Sequence, residues 1–145
     1  MSTITFCRQA RRDGSVRTGI EIDQNTVLAR FEQGKSDTDP ALVWYVDVKF
    51  RGNGLATTPQ VARAWLIRQE KAVTRLLNAL ADEIPAGIDP SDWPLKRERT
   101  LASGIRMVVV CSAVRRVEAA HLAEILRDLA AGWRKRLEAL PQVEA

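Results

Sequence analysis

At 145 residues and 46% apolar content, the chain has the size and composition of one globular domain, able to bury roughly two thirds of its unfolded surface. Its 22 basic and 18 acidic residues leave a formal charge of +4, spread evenly, which excludes a charged tail and points to no single class of partner. The longest apolar run, Met107 to Cys111, is far too short to span a bilayer, and the start of the chain lacks a secretory pattern, so the expectation is a soluble, cytoplasmic protein spanning 1–145 as one domain.

In chain order, Thr3 to Arg8 reads as a first strand with Ile4 and Phe6 on one face, followed by a turn at Asp13-Gly14. Arg17 to Asp23 and Thr26 to Glu32 read as two further strands joined through Gln24-Asn25. Leu42 to Phe50 is the clearest early strand. Leu42, Trp44, Val46, Val48 and Phe50 alternate with Val43, Tyr45, Asp47 and Lys49, the period that a half-buried strand requires.

Gly52 and Gly54 break that strand. A Thr57 cap with Gln60 as its capping-box partner, and Pro59 in the first turn, predict a helix over 59–83. Its apolar stripe runs through Ala62, Leu66, Val73, Leu77 and Leu80, with Gln69 the one polar member and Arg63 on the other side. Pro85, Gly87 and Pro90 stop it, and Trp93 is expected to plug the connection onto the body. Leu95 to Leu101 fits an edge strand, a short helix or coil. Ile105 to Val114 reads as a strand buried on nearly both faces at the centre of the sheet. Val117 to Leu140 reads as a second long helix with Val117, Leu122, Leu126, Leu129, Trp133 and Leu137 inward.

The expected fold is therefore α+β: a mainly antiparallel sheet of about five strands, in the chain order β-β-β-β-α-β-α, with both long helices on one face. One helix layer leaves the second side of strand 105–114 uncovered. That side is expected to meet the loop 86–103 or another subunit, most simply in a two-fold dimer. Val43, Tyr45, Val108 and Val110 are the candidate interface residues.

The chemistry is read mostly by exclusion. His121, Glu124 and Asp128 share a helix face at spacings that metal ligands can use, but Arg127 beside them and the frequency of such faces favour plain solvation. Cys7 and Cys111 read as buried, reduced thiols; without a Cys-x-x-Cys pair they form neither a zinc knuckle nor a dithiol redox site. Gly52 to Thr57 leads into a helix without P-loop spacing, and reads as a turn. No catalytic residue, metal ligand or cofactor is assigned. An enzyme would need Glu21, Asp23 and Asp47 brought together from separate strands. Two arginine groupings, Arg8, Arg11, Arg12 and Arg17, then Lys96, Arg97, Arg99 and Arg106, would contact an anion or a phosphate backbone if they converged. The expected function is thus protein–protein contact without catalysis, first of all with a second copy of the chain; the alternative is a basic nucleic-acid-binding module.

Overall fold

A computed structural model of the chain describes residues 2–32, 41–55, 58–84 and 94–141. Strands β1 (Thr3–Arg11), β2 (Val16–Ile22), β3 (Asn25–Phe31) and β4 (Leu42–Arg51) are followed by α1 (Pro59–Arg68) and α2 (Glu70–Glu83). Then come β5 (Leu95–Thr100), β6 (Arg106–Ala113), α3 (Arg116–Ala120), α4 (Leu122–Ala131) and α5 (Trp133–Glu138). The α+β class and the antiparallel pairing follow the sequence expectation. Among the described residues there are six strands rather than five, in the spatial order β3-β2-β1-β4-β6-β5.

The extra strand is β5, one of the three readings open for residues 95–101. Its interior, Lys96-Arg97-Glu98-Arg99, gives no apolar alternation, and only Leu95 is half-buried. Charged residues suit an outermost strand because they discourage pairing with a foreign edge. With β5 at the edge, β6 is not the centre of the sheet; β1 and β4 are. Nor is β6 buried on both sides. Met107, Val109, Cys111 and Ala113 are buried, whereas Val108, Val110 and Ser112 are half-buried.

Alternation places the apolar set on one side. Ile4 and Phe6 of β1, Ile20 of β2, Val46, Val48 and Phe50 of β4, and Met107 and Val109 of β6 join Leu66, Leu77, Leu126 and Trp133 in one core. Burying that set is the main stabilising term of the fold. The β2–β3 hairpin turns at Asp23-Gln24, one residue earlier than read from sequence, with positive φ at both residues (49° and 72°). That pair of angles matches the right-handed twist of the flanking strands.

Both expected long helices are divided. The Trp133 indole N–H donates to the Leu66 carbonyl at 2.9 Å. The Gln69 N–H shares itself between the Trp65 and Leu66 carbonyls, at 3.1 and 3.2 Å. A side chain inserted into the ladder bends a helix there, separating α1 from α2. At Gly132, between α4 and α5, an added Cβ would lie 2.3 Å from Arg136 Nη1. The glycine leaves room for that guanidinium to fold back onto the Asp128 carbonyl at 2.8 Å.

Other sequence readings are corrected at the helix ends. Thr57 lies outside the described residues; the N-cap is Thr58, whose side chain makes no capping bond, with Pro59 first in the helix. Val117, read as inward, is 67% exposed, and the buried residue of α3 is Ala119. Arg63, off the apolar stripe, is nevertheless only 8% exposed, because its guanidinium donates to the carbonyls of Leu140 and Pro141 beyond α5. Trp93 and residues 86–93 of the 86–103 connection lie outside the described residues. No described helix is long and apolar enough to cross a membrane.

Candidate functional site

With the core on one side, the other side of the sheet is made of the odd residues of β1 and β4 and the even residues of β6. Register places Gln9 beside Tyr45 and Ser112, Cys7 beside Asp47 and Val110, and Thr5 beside Lys49 and Val108. β2 continues these rows with Arg17, Gly19 and Glu21; β5 adds Lys96 beside Val110 and Glu98 beside Val108. Val43, Tyr45, Val108 and Val110 thus share one face, all half-buried. Tyr45 lies diagonal to Val110, within reach of an aromatic ring. Val114, 55% exposed, adds to this set beside Val43, whose carbonyl accepts its N–H at 2.8 Å. The alternation of strand 105–114 already places Val114 on this side with Val108 and Val110, although it is not among the four candidate interface residues.

Asp47 sits within this set. Its Oδ1 is buried without a hydrogen-bond partner. Burial pushes its carboxyl up to about 6; Lys49 pulls the other way and the Glu21 charge adds to the rise. Burial likewise raises Tyr45, with Asp47 contributing, so the phenol stays protonated. Cys7 is fully buried, and its Sγ meets the Gly19 carbonyl at 3.5 Å. Gly19 has to be small, since a Cβ there would lie 3.0 Å from the Leu28 carbonyl. Burial and the Glu21 and Asp47 carboxylates push the Cys7 thiol up to about 12; burial does the same to Cys111. Neither thiol is a nucleophile near neutral pH. Both cysteines are free and buried. Cys7 points to the face that no described helix covers (the uncovered face) and Cys111 to the core, with β4 between their strands.

The three carboxylates weighed for catalysis do not assemble. Glu21 and Asp47 face the same way but flank β1 and sit two residues apart along it, about 12 Å apart at ~4.8 Å per strand and ~3.3 Å per residue. Asp23 lies in the hairpin turn, where it accepts the Thr3 N–H at 2.9 Å. His121 Nδ1 stands 3.3 Å from Glu124 Oε2, whereas Asp128 turns toward Arg8 and Arg136. No group of three or more His, Cys, Asp or Glu capable of holding a metal exists among the described residues. The Gly52 turn is closed by packing, since a Cβ there would lie 2.4 Å from Ile105 Cδ1.

Nor do the two basic groupings converge. Arg8 is 7% exposed on the core side, where it bonds Glu32 at 2.7 Å and Asp128 at 3.3 Å and lies 5.8 Å from the Trp44 ring. Arg11 stacks near Phe31, Arg12 is exposed in the first turn, and Arg17 donates to Thr26 Oγ1. At the other edge Lys96 faces the uncovered side, Arg97 the helix side, Arg99 pairs with Glu83 at 3.2 Å, and Arg106 pairs with Glu98. From Arg17 on β2 to Lys96 on β5 is roughly 19 Å across four strand spacings.

The unpartnered Asp47 oxygen makes a stability prediction. Between the unfolded value near 3.8 and the folded value of about 6, the native state holds more protons than the unfolded chain. Stability from this group is therefore full below about pH 4 and is lost as pH rises through 6. Asp47→Asn is expected to raise stability at pH 7 by about 1–2 kcal/mol, the full shift being discounted for partial exposure. Thermal melts at pH 5 and 7 check this: the wild type loses several degrees between them and the variant does not. A variant that melts lower at pH 7 would contradict it.

No family model, curated protein or solved structure matches this chain.

Proposed function

We propose that the protein works in the cytosol through protein–protein contact at the uncovered sheet face, and that its first partner is a second copy of itself. The observation that carries this is the half-buried set Val43, Tyr45, Val108 and Val110 on the side of the sheet away from all the described helices. Two further features support it. Six strands about 4.8 Å apart and about seven residues long give a face on the order of 700 Å². That is close to the ~800 Å² each partner contributes to a standard interface. The face also carries both signs, with Lys49, Lys96 and Arg106 against Glu21, Asp47 and Glu98, so a two-fold copy can set acid against base.

Light scattering behind size exclusion tests the proposal on the intact chain. The expected mass is near twice 16.2 kDa; a monomer at high concentration overturns it. Nucleic-acid binding remains a second reading, with weaker support because several of the basic residues are paired with carboxylates and the set is spread over both faces. It predicts binding to generic DNA or RNA that falls steeply between ~50 and ~200 mM salt. No binding at low salt would end it.

A further inference from the structure

On the opposite side of the sheet, the helix layer leaves a cleft of about 300 Å³ between the β2–β3 edge and α5. Its buried lining includes Thr18 and Leu140, the latter 2% exposed. Four charged side chains also line it: Arg30, Glu32, Lys135 and Arg136.

These charges do not cancel. Arg136 belongs to a network with Arg8, Glu32 and Asp128: Arg8 bonds both carboxylates, and Arg136 lies 3.5 Å from Glu32 and 2.7 Å from Asp128. Two guanidiniums against two carboxylates leave no net charge. Burial alone would raise the Glu32 carboxyl, but the bond and charge of Arg8, the Thr18 hydroxyl and Arg136 outweigh it and hold Glu32 ionised. Arg30 and Lys135 remain. Arg30 Nη1 donates to the Ala139 carbonyl at 3.2 Å, and neither residue has an ion-pair partner among the described residues. Both are exposed, one on β3 and one on α5, so two cations without a carboxylate partner among the described residues line the cleft.

We propose that this cleft binds a small organic anion, its acidic group held between Arg30 and Lys135 and its apolar body against Leu140. A guanidinium fork recognises a carboxylate or phosphate with two parallel bonds, and an ammonium adds a point charge. Glu32 and Arg136, paired with each other in the lining, offer an anion no net charge, which leaves Arg30 and Lys135 as the acidic group's partners. The cleft holds about ten water volumes at ~30 Å³ each, enough for a ligand of about ten heavy atoms. It lies on the helix side of the sheet, so the proposal stands apart from self-association.

Amide chemical shifts of the intact chain, titrated with benzoate and phenyl phosphate, test it. Both should shift Thr18, Arg30 and Ala139 saturably, while benzyl alcohol and inorganic phosphate bind at least about tenfold more weakly. The double substitution Arg30→Gln/Lys135→Gln should lower benzoate affinity about tenfold or more with an unchanged melting temperature, since both side chains are exposed. Ala139→Trp, at an exposed position, should block the cleft. The proposal is overturned if benzyl alcohol or inorganic phosphate binds as well as benzoate. Shifts that map elsewhere or never saturate, or a double variant that keeps its affinity, would also overturn it.

Discussion

Replacing Tyr45 by Asp is expected to weaken self-association by about 100-fold, leaving a monomer at concentrations where the wild type is paired. The ring is the largest half-buried side chain of the uncovered face, and large aromatics carry most of the binding energy of interfaces. A carboxylate in its place would be desolvated beside the existing Asp47 charge, adding repulsion to the loss of contact. Because Asp also suits a strand poorly, Val108→Lys serves as a companion, placed on the neighbouring strand of the same face. Both variants should keep the helical circular dichroism of the wild type and lose the dimer mass. Two folded variants that remain dimeric would place the interface elsewhere.

Trp133→Ala is expected to remove about 3–5 kcal/mol of stability, a large share of the ~5–15 kcal/mol typical of a domain. Trp133 is fully buried, with ring centroids 4.5 Å from Phe6 and 6.5 Å from Phe50, and so ties α5 to β1 and β4. Its indole also supplies the N–H bonded to Leu66, so truncation leaves both a cavity and a carbonyl with fewer donors. Trp133→Phe separates the two effects: it keeps most of the packing and should lose about 1–2 kcal/mol. Urea unfolding measures both. A loss below about 1 kcal/mol for the alanine variant would mean that the two layers do not depend on this residue.

How far the fold was legible follows from where the signal lay. In β4 the alternation of Leu42 to Phe50 is strong, and its two faces came out as read, because one side buries Val46, Val48 and Phe50 in the core. The same logic gave the uncovered-face placement of Tyr45, Val108 and Val110. β5 carried no such signal: four charged residues in a row fit several conformations, and only its pairing with β6 makes it a strand. The helix bend at Gln69 was not legible, since its cause is an indole 67 residues beyond the Leu66 carbonyl that it bonds. The burial of Arg8 was hidden for the same reason. Its partners, Glu32 and Asp128, lie on β3's end and on α4, and no local pattern joins them. Asp47 was visible as the acidic member of an otherwise mixed strand face, but its missing partner is a property of the assembled sheet.

The pairing of two copies through this face is tested most directly by a dilution series followed by backbone amide shifts. Lowering the concentration through the dimer–monomer transition should move the resonances of Cys7, Tyr45, Asp47, Val108 and Val110 together, with those of α2 and α4 unmoved. Shifts confined to the helix surfaces, or a mass that halves while the β4 and β6 resonances stay fixed, would contradict it.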